Sequence, residues 1–489
     1  MIMIDGIIFT GMTYSSTISR PAGAVRIRTW LDKHNYNIEV VDYFDHFSND
    51  EIEKICEKFI DKKTLFVGIS LTFLTSFDKI NFLFNLIKNK FPHVKTIIGG
   101  TEASINKIDI NNVDRIIWGY AEEAILHYIE FLNGKRLDDL EWIPYNGSLA
   151  IDAEKKYKND DSDLTIEWND DDLIEINYLP IEISRGCIFR CKFCQYPLLG
   201  KKKNDYIRYE NNLADEFRRN WEKWGINNYS FQDDTFNDNI VKLDHVANAI
   251  EKSGIKITYA AFLRADLLYT YPETISMLDN TGLIAGYFGI ESLNHESKKA
   301  IGKGLDNEKQ FEIIKELKKR RAIYTFTGMI IGLPFESIES VHKSQQWFFD
   351  QNGEIFNGWQ WWPLGIRENV ISRKSEFDRN FSKWGYTSMS INDDNDNGYL
   401  YWKNQYTNFE EACLLASKFN QETIKNNKNV WSIGVKNKTF ELGEAGVILR
   451  SLGFTMDEII DNKINADSLN ESIEKIKTSI QRYKSLKLK

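Results

Sequence analysis

Five cysteines in 489 residues are too few for a disulfide framework, and their number is odd, so the chain is read as a protein of a reducing compartment. Long apolar runs are missing too. No stretch approaches the ~20 residues that cross a bilayer. The opening MIMIDGIIFTG lacks the basic start of a secretory signal and meets an acidic residue at Asp5. A cytoplasmic location is therefore expected, with no membrane partner. Positive charge is in deficit: 62 Lys and Arg face 71 Asp and Glu, a formal net charge of -9. That balance disfavours bulk binding to nucleic acid. Repeats and low-complexity tracts are absent. Aromatic residues are not: 13 Trp, 22 Tyr and 30 Phe are too many rings to leave in water, which excludes global disorder. At ~150 residues per domain, about three domains are expected.

The first ~135 residues alternate strand and helix. IDGIIF, NIEVVDYF with Asp42 near its end, TLFVGISL, VKTIIGG and DRIIWGY are apolar runs. Between them, Ala24, Ile27 and Leu31, and later Ile80, Leu83, Phe84 and Ile87, recur at helical spacing. Continuous apolar strands separated by helices indicate a parallel sheet covered on both faces. Such sheets bind ligands at their carboxyl ends. The corners Ser70-Leu71-Thr72, Gly99-Gly100-Thr101 and Gly119-Tyr120 lie there. Glycine at these points either admits a bulky ligand or simply turns the chain.

Residues 150–175 are acidic and polar and read as a linker or surface excursion. A second alternating series follows, with strands expected at 179–184, 228–232, 256–263, 283–290, 323–331 and 357–364. Six strand–helix units suit a full or partial parallel barrel with its chemistry at the strand carboxyl ends. The tail is helical in pattern at Phe409 to Phe419 and Leu469 to Tyr483, with Gly443 and Gly453 as breakers. The expected fold is thus α/β: a Rossmann-like parallel sheet over 1–150, a partial (β/α)6 barrel over 175–370 and a mostly helical region over 371–489.

Three of the five cysteines fall together. SRGCIFRCKFCQYP spaces Cys187, Cys191 and Cys194 as Cys-x3-Cys-x2-Cys, just after the first strand of the second series. Three thiolates on a short loop can ligate three irons of a four-iron four-sulfur cluster and leave the fourth iron open. A zinc site would need another ligand. Cys56 and Cys413 are distant in sequence, and the nearest histidine, His245, lies on an ordinary helical stretch.

On these residues the chain resembles the radical S-adenosylmethionine (SAM) enzymes that carry a cobalamin-binding domain. The resemblance covers about residues 1–365. It implies that the cysteine loop holds the cluster, that the open iron chelates the methionine end of SAM, and that one electron from the cluster splits the C5′–S bond. A 5′-deoxyadenosyl radical then abstracts hydrogen from the substrate. Phe193 matches the aromatic position near adenine. Asp233 and Asp234 in FQDDTF resemble the motif that contacts the methionine amino group, which a carboxylate can bind by charge-assisted hydrogen bonds; a helix N-cap at Asp234 is the plainer reading. Arg264 in FLRAD is expected to pair with the methionine carboxylate, or else internally with Asp266. Glu291 and Ser292 in YFGIES resemble a polar ribose-contacting position. Gly328, Ile330 and Gly332 in GMIIGLP resemble the strand that lies against adenine.

Other features follow the same resemblance. Ser70, Leu71, Thr72, Gly99, Gly100 and Gly119 would line a cobalamin. The loop GMTYSSTISRPAG has no histidine, so any cobalamin would be bound without a histidine below the cobalt. The implied reaction is methyl transfer from cobalamin to a poorly activated carbon of a small molecule or peptide. A cyclisation, rearrangement or oxidation without methyl transfer, and a non-catalytic carrier or sensor, are the alternatives. Trp359 and Trp361 share one strand face and Trp362 the other, as core or as cavity wall. Lys201, Lys202 and Lys203 form a solvated loop or a dock for an acidic electron donor such as a flavodoxin or ferredoxin. A methylthiotransferase is disfavoured, since that family needs three more cysteines in its N-terminal domain and only Cys56 is there.

Overall fold

A computed structural model describes residues 4–11, 20, 22–72, 74, 76–100, 103, 110–157, 161–172, 177–195, 204–320, 322–367, 373–389, 399–426, 450, 453–460 and 463–489. The apolar runs of the first part become strands β1 (Gly6–Phe9), β2 (Ile38–Val41), β3 (Phe66–Ser70), β4 (Lys95–Gly99) and β5 (Arg115–Trp118). Two more strands, β6 (Ile143–Tyr145) and β7 (Ser148–Asp152), close the sheet in the order β2-β1-β3-β4-β5-β7-β6. All neighbours are parallel except β6, which turns back on β7 through Asn146 and Gly147, both at positive φ. Helices cover both faces. The one at Asn49–Phe59 starts in a reciprocal cap between Ser48 and Glu51 and buries Ile52, Ile55 and Cys56. The expected domain end at 150 falls inside β7, so the sheet runs to Asp152.

The expectation of a linker at 150–175 is corrected. Leu164, Ile166 and Trp168 are buried, as are Asp161 and Asp172. The strap's polar backbone is matched by arginines. Arg26 donates to the carbonyls of Asp163 and Thr165, Arg28 to that of Glu167 and Arg219 to that of Ile166. Asp172 pairs with Arg28 at 2.7 Å. Acidic composition suggested solvent, but cations from two neighbouring helices neutralise it.

The second sheet runs in chain order: β8 (Leu179–Ile181), β9 (Asn228–Phe231), β10 (Thr258–Leu263), β11 (Leu283–Glu291), β12 (Tyr324–Ile331) and β13 (Gly358–Pro363), all parallel. β8 and β13 are its two edges. Alternation decides which side chains face inward. Trp359 and Trp361 are fully buried against the helices Ile338–Asp350 and Phe409–Lys425, and both indole N–H groups donate to Gln345 Oε1, at 3.0 and 2.7 Å. Trp362 points the other way and is 52% exposed. The core reading therefore holds for the first two rings.

The C-terminal residues attach to both sheets. The helix Phe409–Lys425 packs on β13, where Asn420 exchanges two hydrogen bonds with the Trp361 backbone. The helix Ala466–Leu488 returns to the first sheet, and its Tyr483 hydroxyl accepts from the Asp42 amide at 2.8 Å. One apolar cluster joins Phe9, Val67 and Ile98 of the first sheet to Ile284, Tyr324 and Phe326 of the second. Gly453 is at positive φ as a helix breaker should be; Gly443 lies outside the described residues.

Candidate active site

Just past β8 the chain turns through Gly186, at positive φ, into Cys187. The loop is clamped at its centre. The Lys192 amide donates to Ile301 O at 3.1 Å, and its carbonyl accepts from the Phe377 amide at 3.1 Å. A turn brings the Cys194 amide to Cys191 O at 3.0 Å. Two of the sulfurs meet polar groups of neighbouring strand ends. Thr235 Oγ1 lies 3.5 Å from Cys187 Sγ, and Arg264 Nη1 donates to Cys191 Sγ at 3.4 Å. Burial pushes the Cys187 thiol up, opposed by its bond to Thr235. Among the described residues no three His, Cys, Asp or Glu side chains gather as a single metal ion requires. Thiols on a clamped loop, one of them receiving a donor from Arg264 and one beside the Thr235 hydroxyl, suit a cluster whose thiolates sit on separate corners.

The strand ends around this loop divide the expected residues. Asp233 is buried and turned inward: it accepts from Ser184 and lies 3.5 Å from Lys242, which also pairs with Asp238 at 2.6 Å. Asp234 is only partly buried. Desolvation pushes its carboxyl up to about 7, against the pull of Arg373. The N-cap role goes to Asn239, which caps the helix Ile240–Ser253. Arg264 pairs with Asp266 through two bonds, at 3.0 and 2.5 Å, which is the internal alternative. Ser292 is fully buried and donates to Glu336 at 2.7 Å. Desolvation pushes that Glu336 carboxyl up to about 7.

Glu291 adopts a positive φ at the end of β11 and meets Lys303, whose ammonium donates to Glu291 Oε1 at 2.8 Å and to Gly289 O at 2.7 Å. Lys303 also lies 5.9 Å from the Phe193 ring. No motif pointed to it, because it reaches the site from beyond the helix His295–Ile301. Gly328 owes its identity to a neighbour: a Cβ there would sit 1.9 Å from the Tyr287 hydroxyl. Gly332, at positive φ, lies against the Trp402 ring, and Ile330 is half-buried on β12.

On the first sheet, Ser70 and Thr72 are half-buried and Leu71 is buried. A Cβ at Gly100 would come within 2.8 Å of the Thr72 amide, and one at Gly119 within 2.5 Å of Glu154. Both glycines, at positive φ, are thus explained by close packing of the chain on itself. A Cβ at Gly99 would make only ordinary contact. Thr101, residues 12–19 of the histidine-free loop and Lys201 to Lys203 lie outside the described residues.

Tyr120, at the end of β5, joins the two sheets. The guanidinium groups of Arg185 and Arg373 lie over its ring at 4.4 and 4.7 Å. Arg185 stands two residues before Cys187. It pairs with Glu182 at 2.8 Å and with Glu122 at 2.7 Å, and Glu122 also takes Arg26 at 3.1 Å. Arg373 donates to Glu154 at 3.0 Å. The sequence marked only the Gly119-Tyr120 corner; Glu122, Arg185 and Arg373 carried no signal, since their partners across the joint lie 60 or more positions away.

Comparison with known proteins agrees with this geometry. Residues 181–348 match the radical SAM superfamily model. Residues 181–348, which hold the cysteine loop and most of the second sheet, thus form a radical SAM domain, and the chain that carries it is an enzyme. An uncharacterized methyltransferase of Pyrococcus horikoshii is 24% identical over 344 residues, covering 67% of this chain and 72% of its own. The cytidylyl-2-hydroxyethylphosphonate methyltransferase of Streptomyces wedmorensis is 24% identical over 392 residues, covering 66% and 72%. The cobalamin-dependent SAM radical enzyme OxsB, solved with aqua-cobalamin bound, superposes with a TM-score of 0.64 over 99% of this chain and 80% of its own, at 14% identity.

Proposed function

We propose that the chain uses an open-site four-iron four-sulfur cluster to cleave SAM to a 5′-deoxyadenosyl radical, and a cobalamin to methylate an unactivated carbon of a small molecule or peptide. The observation that carries this reading is the joint at Tyr120. The strand ends that each sheet type uses for ligands adjoin there, with Arg185 linking the end of β5 to the cysteine loop. When bound, the cluster supplies the electron that breaks the C5′–S bond and the corrin supplies the methyl group.

The chain's own residues hold and orient. Cys187, Cys191 and Cys194 ligate three irons and leave one corner for the amino and carboxylate groups of SAM. Phe193, Glu291 and Lys303 line the same side of the barrel mouth and suit the adenosine. Asp234 suits the methionine ammonium, because the residue is only half-buried and a cation would relieve its desolvated carboxyl, whereas Asp233 is buried and spent on Ser184 and Lys242. The backbone corners at Ser70, Thr72 and Gly99 suit the corrin edge. The methyltransferases among the relatives support transfer over rearrangement.

The test is anaerobic reconstitution with iron, sulfide and hydroxocobalamin, then methyl-labelled SAM with candidate substrates. Wild type is expected to hold four irons and one corrin and to form 5′-deoxyadenosine and labelled product. Replacing any of the three cysteines with Ala should abolish cluster and 5′-deoxyadenosine together; 5′-deoxyadenosine from a Cys187→Ala variant would overturn the assignment. Product without label would replace methyl transfer by a rearrangement.

A further inference from the structure

We infer that Arg264 is a positioning residue that acts through Cys191 to raise the reduction potential of the cluster, with Asp266 as its counterweight; this rests on the cluster reading above. Its placement is over-determined. The Arg264 amide donates to Asn237 Oδ1 at 2.9 Å, and its carbonyl accepts from Asn237 Nδ2 at 3.0 Å, which fixes the backbone at the end of β10. Asp266 takes Nε and Nη2 in a two-point fork. That fork leaves Nη1, which donates to Cys191 Sγ at 3.4 Å. The guanidinium carbon lies 3.9 Å over the ring of Phe189, a residue of the same loop. Arg264 is 7% exposed, so water screens this charge little.

The electrostatic consequence follows from charge alone. One-electron reduction, by a low-potential donor such as dithionite, adds a negative charge to a centre already carrying thiolates. A cation that donates a hydrogen bond to one thiolate stabilises the reduced form more than the oxidised form, which raises the potential. The carboxylate of Asp266, paired to that cation, works in the opposite sense. The two side chains are therefore expected to shift the potential in opposite directions when each is neutralised. A purely structural role would not produce that pattern, because losing either member of a structural pair loosens the loop in the same way.

The experiment is a dithionite titration of the reconstituted holoenzyme, following the paramagnetic signal of the reduced cluster, with iron per chain measured on every sample. In Arg264→Gln the equilibrium constant for reduction should fall at least tenfold, which is 59 mV toward negative potential for one electron. In Asp266→Asn it should rise. Arg264→Lys keeps the charge without the planar fork and should fall between Gln and wild type. Should Arg264→Gln lose its iron, the Lys and Asn variants carry the test. Potentials that do not move, or that move the same way in both neutralising variants, overturn the inference while the cluster reading stands. A wild-type chain that takes up no four-iron cluster overturns both.

Discussion

Replacing Glu122 with Gln should loosen the joint between the two sheets without touching any expected cofactor ligand. Glu122 is buried between Arg26 on the helix Gly23–Asp32 and Arg185 beside the cysteine loop, at 3.1 and 2.7 Å. Burial alone would push its carboxyl up. Arg185 and then Arg26 outweigh that and hold it at about 2, against an ordinary 4.5. At about 1.36 kcal/mol per tenfold change in proton affinity, the carboxylate contributes on the order of 3 kcal/mol. Removing one partner from a buried pair costs about 3–5 kcal/mol, which agrees. The sign is that of a depressed acid: the contribution is complete above pH 4.5 and is lost as pH falls toward 2. At pH 7 the Gln variant leaves Arg26 and Arg185 short of a counter-charge, so local opening should rise on the order of a hundredfold. Hydrogen exchange of peptides covering 122–132 and 179–187 measures it. Exchange within about threefold of wild type in both segments would refute the reasoning, because a buried ion pair that stitches two sheets cannot be removed silently.

Two further outcomes test the packing around the site. Gly328→Ala places a methyl 1.9 Å from the Tyr287 hydroxyl and should destabilise the chain by about 1–3 kcal/mol in urea unfolding; adding Tyr287→Phe removes the clashing oxygen and should recover most of it. Gln345→Leu leaves the Trp359 and Trp361 N–H groups buried without their acceptor and should cost about 2–6 kcal/mol, read from the unfolding midpoint and a shift in tryptophan emission.

The amino-acid order by itself determined most of the architecture and the one motif that names the chemistry. Continuous apolar runs such as FVGIS and YTFTGMII, alternating with helical stretches, point to strands buried on both faces, so five strands of the first sheet and the six of the second were legible, while β6 and β7 were not. Three cysteines within eight residues marked the candidate cluster loop, because thiolate spacing is local. The strap at 161–172 was misread, since its acidic residues are neutralised by arginines more than a hundred positions earlier and some fifty later. Tertiary structure decided the rest. It turned Asp233 inward and left Asp234 partly open, gave Arg264 to Cys191 and Asp266, and brought Lys303 to Phe193. It also set Tyr120 beneath two guanidinium groups from distant segments. The physical reason is the same in each case. A side chain's electrostatic partner is chosen by proximity in space, and at the carboxyl ends of parallel strands that proximity joins segments tens to hundreds of residues apart.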